Sequence, residues 1–189
     1  MREPIFSNIK IVISGAAVTK SCRENVHELA YEVGKEIALH KLIMLTGATT
    51  GTPLWAAKGA YENGGIVIGL SPARSYKEHV KIYKLPTDYH HTILYTGEGY
   101  SGRNLLLTKM GDAVIFICGR IGTLNEFTIA FEEEKPMGVL VDSGGTEEYF
   151  MEIVEKAKRG PGKIVWEKDP RVLVEKLLEI VKIEIEEKI

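Results

Sequence analysis

Seven short runs of β-branched and aliphatic residues, separated by stretches of helical length and period, constrain this chain more than any other feature of its sequence. The runs are Ile9 to Ile13, Leu42 to Leu45, Ile66 to Leu70, Thr92 to Tyr95, Ala113 to Ile117, Met137 to Val141 and Lys163 to Trp166. Most are apolar on both faces, as suits strands covered by helices on both sides rather than strands with one face in water. The expected class is α/β, a doubly wound, mostly parallel sheet of about seven strands.

Local signals place the helices. Thr52-Pro53 reads as an N-cap followed by proline at the first helical position, and Asp169-Pro170 reads the same way. Gly64-Gly65 and Gly160-Pro161-Gly162 punctuate two returns to the sheet. The last helix, Pro170 to about Glu187, sets Val174, Leu177, Leu178, Val181 and Ile185 on one face, which suits packing or a dimer interface. At 189 residues and 44% hydrophobic, with no linker or repeat, the chain is expected to form one domain over residues 1–189.

Composition narrows the function. A formal net charge of -2 gives no reason to expect a nucleic-acid partner. No run is long enough to span a bilayer, and Met1-Arg2-Glu3-Pro4 lacks the layout of a signal peptide, so a cytoplasmic protein is expected. Cys22 and Cys118 form no metal-ligand spacing, and a disulfide between them is left open. No metal site is expected. Glutamine is absent while Glu, Lys and Ile abound, the direction expected of a thermophile.

In a doubly wound sheet, ligands settle outside the carboxyl ends of the strands. Three loops rich in glycine and hydroxyls fall there: Ser14-Gly15-Ala16-Ala17, Thr46-Gly47-Ala48-Thr49-Thr50-Gly51-Thr52, and Cys118-Gly119-Arg120-Ile121-Gly122-Thr123-Leu124-Asn125-Glu126. The third joins an apolar strand directly to a helix whose first amides are without intrahelical acceptors, a ready site for phosphate. Candidate phosphate contacts are Ser14, Gly15, Gly47, Thr50, Gly51, Gly119, Arg120, Ile121, Gly122 and Thr123. The spaced glycines of a dinucleotide fingerprint and the lysine of a Walker loop are missing, so dehydrogenase and P-loop readings fall away.

The segment from Gly97 to Pro136 resembles the Rossmann-like group that contains the Lonely Guy phosphoribohydrolases, often mislabelled lysine decarboxylases, and the molybdenum cofactor carrier proteins. The group's pattern runs from an arginine through an Asp-Ala pair opening an apolar strand to Pro-Gly-Gly-x-Gly-Thr-x-x-Glu. This chain has Arg103, Asp112-Ala113 and the Cys118 to Glu126 stretch at matching spacing. Thr96-Gly97-Glu98-Gly99-Tyr100 followed by Arg103-Asn104 is closer to the carrier-like branch. The resemblance implies hydrolysis of a nucleoside 5'-monophosphate to free base and ribose 5-phosphate, with Arg103 and Glu126 as the catalytic pair. Its alternative is a non-catalytic protein that holds an AMP-like nucleotide or a molybdopterin-type ligand. It implies no required cofactor, and it implies a homodimer. Two positions depart from the pattern: Cys118 stands for the proline, and Arg120 stands for the second glycine, where its side chain either binds the phosphate by charge or blocks its place.

Several residues carry a second reading. Thr123 to Glu126 also spells a capping box, with Thr123 at the N-cap and Glu126 reaching back to its amide. Arg103 suits a surface ion pair beside a helix running from Asn104 to Met110. Asp112 suits a turn or cap acceptor. His90 and His91 precede the fourth strand and are expected at the end opposite the ligand edge. Tyr100 and Trp55 suit either stacking on a base or packing.

Overall fold

The computed structural model describes residues 8–187, so Met1-Arg2-Glu3-Pro4 lies outside the described residues. Seven strands are present in it: β1 (Lys10–Gly15), β2 (Ile43–Thr46), β3 (Ile66–Ser71), β4 (Thr92–Tyr95), β5 (Ala113–Ile117), β6 (Met137–Leu140) and β7 (Ile164–Glu167). They alternate with helices α1 (Val26–Leu39), α2 (Thr52–Glu62), α3 (Tyr76–Lys81), α4 (Gly99–Met110), α5 (Ile121–Glu132), α6 (Phe150–Ala157) and α7 (Pro170–Glu187). The strands form one sheet in the order β4-β3-β2-β1-β5-β6-β7. Every pairing is parallel, which sharpens the expected mostly parallel sheet. Strand order reverses at β1 and β5, so their carboxyl ends flank the crevice where such folds take ligands.

Alternation along the central strands sends side chains to two cores. Ile11, Ile13, Ile115 and Ile117 face one way, onto Val33 and Ile37 of α1, Ala56 and Ala60 of α2, and Leu173 and Leu177 of α7. Val12, Val114 and Phe116 face the other way, onto Leu107 of α4, Phe127 of α5 and Phe150 of α6. There Phe127 stacks on Phe150 at 3.9 Å between ring centroids, and Phe116 meets the two edge-on at 5.4 and 5.6 Å. Each fully buried phenylalanine contributes about 1.5–3 kcal/mol, so this trio anchors α5 and α6 beneath the ligand edge.

On the other face α1 and α2 approach closely. A Cβ on Gly34 would stand 1.9 Å from the Ala56 carbonyl oxygen, and one on Gly59 would stand 2.0 Å from that of Tyr31. Two glycines thus allow the helices to pack backbone against backbone.

Some boundaries differ from the expected ones. β1 continues through Ser14 and Gly15 because these residues pair with Phe116 and Ile117 of β5, so they form the last rungs of the ladder rather than a loop. Gly51 caps α2, and Thr52 is already helical, its hydroxyl donating to the Ile117 carbonyl at 3.2 Å. Asp169 does cap α7, its Oδ1 accepting from the amides of Arg171 and Val172 at 2.9 and 3.0 Å. α4 starts at Gly99, which places Arg103 inside the helix. In α7, Val174, Leu177, Leu178 and Val181 are buried, but Ile185 is exposed because the helix runs on past the core. No helix among the described residues is long and apolar enough to cross a membrane.

Candidate functional site

The carboxyl ends of β1, β2 and β5 open into a cleft of about 480 Å³. β1 contributes Ser14 and Gly15 to its wall, the β2–α2 loop Gly47, Thr49 and Thr50, and α4 Tyr100, Arg103 and Asn104. The first turns of α5 supply Arg120, Ile121, Gly122, Thr123 and Glu126.

The floor is a buried polar cluster. Glu126 is 5% exposed and Arg103 7%. Arg103 Nη1 donates to Glu126 Oε1 at 3.3 Å, and the Ser14 hydroxyl donates to Glu126 Oε2. In the orientation that matches donors to acceptors, the Asn104 amide also donates to Glu126 Oε1, at 3.0 Å, and to the Tyr100 carbonyl, at 3.1 Å. Three elements, β1, α4 and α5, therefore fix one carboxylate. Burial pushes the Glu126 carboxyl above its ordinary range, against the opposing pull of the Arg103 charge and the Ser14 hydroxyl. Arg103 retains a buried Nε–H without a protein partner, a donor left over in the cleft wall.

This cluster settles the second reading of Glu126. α5 begins at Ile121 with Arg120 as its N-cap, so Thr123 is the third helical residue, and its Oγ1 accepts from the Arg120 amide at 3.3 Å. Glu126 lies beyond the capping turn and points into the cleft. Nor is Arg103 a surface residue, since its ion pair with Glu126 is almost fully buried.

The two departures from the family pattern have distinct consequences. Cys118 takes a left-handed φ of 56°, which a proline cannot adopt, and its amide, which a proline lacks, donates to Ser143 Oγ at 2.6 Å. Its sulfur is bonded to that of Cys22, so the disulfide left open by the sequence joins the loop after β1 to the loop after β5. Arg120 leaves the cleft open: the residue is exposed and lines a cavity of about 480 Å³.

Of the expected phosphate contacts, Ser14, Gly15, Gly47, Thr50, Arg120, Ile121, Gly122 and Thr123 line the cleft, whereas Gly51 and Gly119 do not. Gly51 packs against the backbone of Ala16 and Ala17. Gly119 is buried under Thr146, whose amide donates to its carbonyl at 3.0 Å. Both shape the loops from beneath. Beside Ile13, Ala17 and Val18 around the end of β1, the structure adds Thr49, Pro53 and Leu85 to the lining. Thr49 and Pro53 lay within or next to the second loop, but Leu85 comes from the segment between α3 and β4 and had no signal.

Tyr100 stands at the cleft, half exposed, with its ring edge-on to Tyr83 at 5.4 Å. Trp55 instead stacks on His27 at 5.0 Å and is a packing residue. Asp112 accepts from the amide and the ammonium of Lys10, both at 2.7 Å, as expected of a turn acceptor. His90 departs from expectation. Its Nε2 lies 2.7 Å from Thr46 Oγ1 at the carboxyl end of β2, because β4 pairs from Ile68 onward and carries the preceding loop with it. Burial lowers its pKa, and its role there is to brace the turn after β2. No group of three His, Cys, Asp or Glu suited to a metal ion occurs among the described residues.

A parallel sheet with this strand order, a helix start open at its reversal point and a buried Arg–Glu pair below define an α/β protein of the Lonely Guy-like Rossmann superfamily. Within it the chain belongs to the SLOG cluster4 family, whose model matches residues 8–174. Among solved structures it is similar to the Moco carrier protein of Chlamydomonas reinhardtii, with 26% identity, a TM-score of 0.74, and coverage of 92% of this chain and 99% of that one. It is also similar to the molybdenum cofactor binding protein of Rippkaea orientalis, with 25% identity, a TM-score of 0.73, and coverage of 95% and 98%. A cytokinin riboside 5'-monophosphate phosphoribohydrolase of Rhodococcoides fascians is 32% identical over 103 residues, 53% of this chain and 48% of that protein.

Proposed function

We propose that the cleft binds a small molecule through a phosphate seated on the first amides of α5, with the rest of the ligand lying over Glu126 and Arg103. The observation that carries this reading is the buried cluster of Glu126, Arg103 and Ser14 on the floor of an open cleft. Burying a carboxylate and a guanidinium, one of whose donors stays unpaired, costs stability, and such a cluster on the floor of an open cleft is the arrangement expected of a ligand site.

The chemistry that the cluster supports best is hydrolysis of a nucleoside 5'-monophosphate at its N-glycosidic bond. As the bond from C1' to the base nitrogen breaks, the ribose gains oxocarbenium character, and a carboxylate below it stabilises that charge and orients water. Water adds its hydroxyl to C1', and its proton leaves with the base. Arg103 holds Glu126 in place through its planar fork. Tyr100 offers a ring for the base to stack on. The similarity to the Rhodococcoides phosphoribohydrolase supports this reading.

A second reading is a carrier that holds a nucleotide or a molybdopterin-type ligand without turnover. It is favoured by the three donors on Glu126, which leave the carboxylate few free lone pairs, and by likeness to the two molybdenum cofactor proteins. In either reading the protein works as a cytoplasmic homodimer, and the hydrolytic reading needs no cofactor. Incubation with a panel of nucleoside 5'-monophosphates decides between them. Release of free base that disappears in Glu126→Ala establishes the hydrolase; no release, with ligand-dependent rises in melting temperature, establishes the carrier.

A further inference from the structure

The charged lining of the cleft consists of Arg103, Glu126 and Arg120. The first two face each other at 3.3 Å and neutralise one another when Glu126 is ionised. Arg120 is different. Its backbone is fixed, since its amide donates to Thr123 Oγ1 and its carbonyl accepts from the Leu124 amide. The residue is exposed, and none of the ion pairs among the described residues includes it. Among the described residues, one positive charge of the cleft lining therefore stands without a carboxylate, on the residue that immediately precedes the open amides of α5.

First-turn amides contribute only a fraction of a charge, and they accommodate a singly charged phosphodiester about as readily as a doubly charged terminal phosphate. A guanidinium beside them adds a full charge and a planar pair of donors. That addition favours a group with two ionised oxygens to receive the fork.

We propose that Arg120 is a specificity-determining residue that selects a terminal, dianionic phosphate monoester over a phosphodiester. This proposal rests on the reading that α5 receives the ligand's phosphate. It is indifferent to turnover, since a hydrolase and a carrier require the same discrimination. It also gives a physical role to the replacement of a glycine by arginine at this point. The loop exchanges closeness of approach for charge.

Methyl phosphate and dimethyl phosphate test the proposal, because they differ in charge and carry no base. Their affinities for the whole protein, for Arg120→Gln and for Arg120→Lys are measured by NMR titration at pH 8. The whole protein prefers methyl phosphate, and Arg120→Gln reduces that preference about fourfold, the scale of one solvent-facing ion pair. Arg120→Lys, which keeps the charge, retains most of the preference. An unchanged ratio in Arg120→Gln, with both probes still bound, overturns the role of Arg120 and leaves the phosphate site standing. Failure of the unsubstituted protein to bind either probe overturns the site itself. Because Arg120 is exposed, these substitutions leave folding intact, and unchanged melting temperatures verify it.

Discussion

The guanidinium of Arg103 occupies the space where a side chain on Gly47 would begin: a Cβ built there lies 1.9 Å from Nη1 and 2.6 Å from Cζ. The second loop thus carries glycine because the fourth helix sends an arginine beneath it. Gly47→Ala displaces the tip of a side chain rather than backbone, but that tip is one half of a buried ion pair, so its stability cost is about 3 kcal/mol. The site is affected too, since the displaced guanidinium no longer holds Glu126. At a temperature where the variant remains folded, ligand affinity or base release falls at least tenfold, and the melting temperature drops by about 10 °C; an unaffected site contradicts the assignment.

Glu126 makes stability depend on pH. A carboxyl whose folded-state pKa lies above its unfolded value favours the fold in its neutral form, and that contribution fades as pH rises through the folded-state value. Glu126 is shifted upward, chiefly by burial. Relative to Glu126→Gln, the unsubstituted protein therefore loses stability as pH climbs from about 4. Melting temperatures of both proteins from pH 4 to pH 8 check the sign: the gap in favour of glutamine widens with pH. A gap that narrows shows that the Arg103 and Ser14 contacts outweigh burial.

The disulfide between Cys22 and Cys118 spans 96 residues of chain and joins two loops that border the cleft. Around it, the Arg23 amide donates to the Ser143 carbonyl at 3.0 Å and Cys118 donates to Ser143 Oγ, so the loop after β6 is tied into the same knot. Reduction, or Cys22→Ser, lowers stability by about 2–4 kcal/mol. Denaturant unfolding with and without a phosphine reductant measures the loss, and equal midpoints contradict a stabilising link.

Gly34 tests the helix crossing. Alanine there raises intrinsic helix propensity by about 1 kcal/mol. Its Cβ, however, meets the backbone of Ala56 rather than a movable side chain, at a steric cost of up to about 3 kcal/mol. The steric term wins, and Gly34→Ala lowers the denaturation midpoint. A raised midpoint shows that α1 and α2 separate freely.

The fold was largely legible because parallel strands buried on both faces leave continuous apolar runs, as at Ala113–Ile117, where all five residues are buried. Loop chemistry was legible in kind but not in detail. Ser14 and Gly15 look like a loop in sequence, and only their pairing with β5 makes them strand. Thr123 and Glu126 spell a capping box because local spacing cannot reveal that Arg120 already caps the helix or that Ser14 and Arg103 claim the carboxylate. Leu85 was invisible because its place in the cleft depends on the path of a long connection, which no local pattern encodes. The disulfide needed the juxtaposition of two loops almost a hundred residues apart in sequence, a tertiary fact.

Ligand binding in the cleft depends on the first turn of α5 receiving a negatively charged group. Titrating the isotopically labelled protein with methyl phosphate, while following its backbone amide resonances, tests this most directly. Saturable shifts centred on Ile121, Gly122 and Thr123, with smaller ones at Gly47 and Thr50, are the predicted result. Shifts that fall elsewhere on the surface, or none at tens of millimolar probe, contradict it.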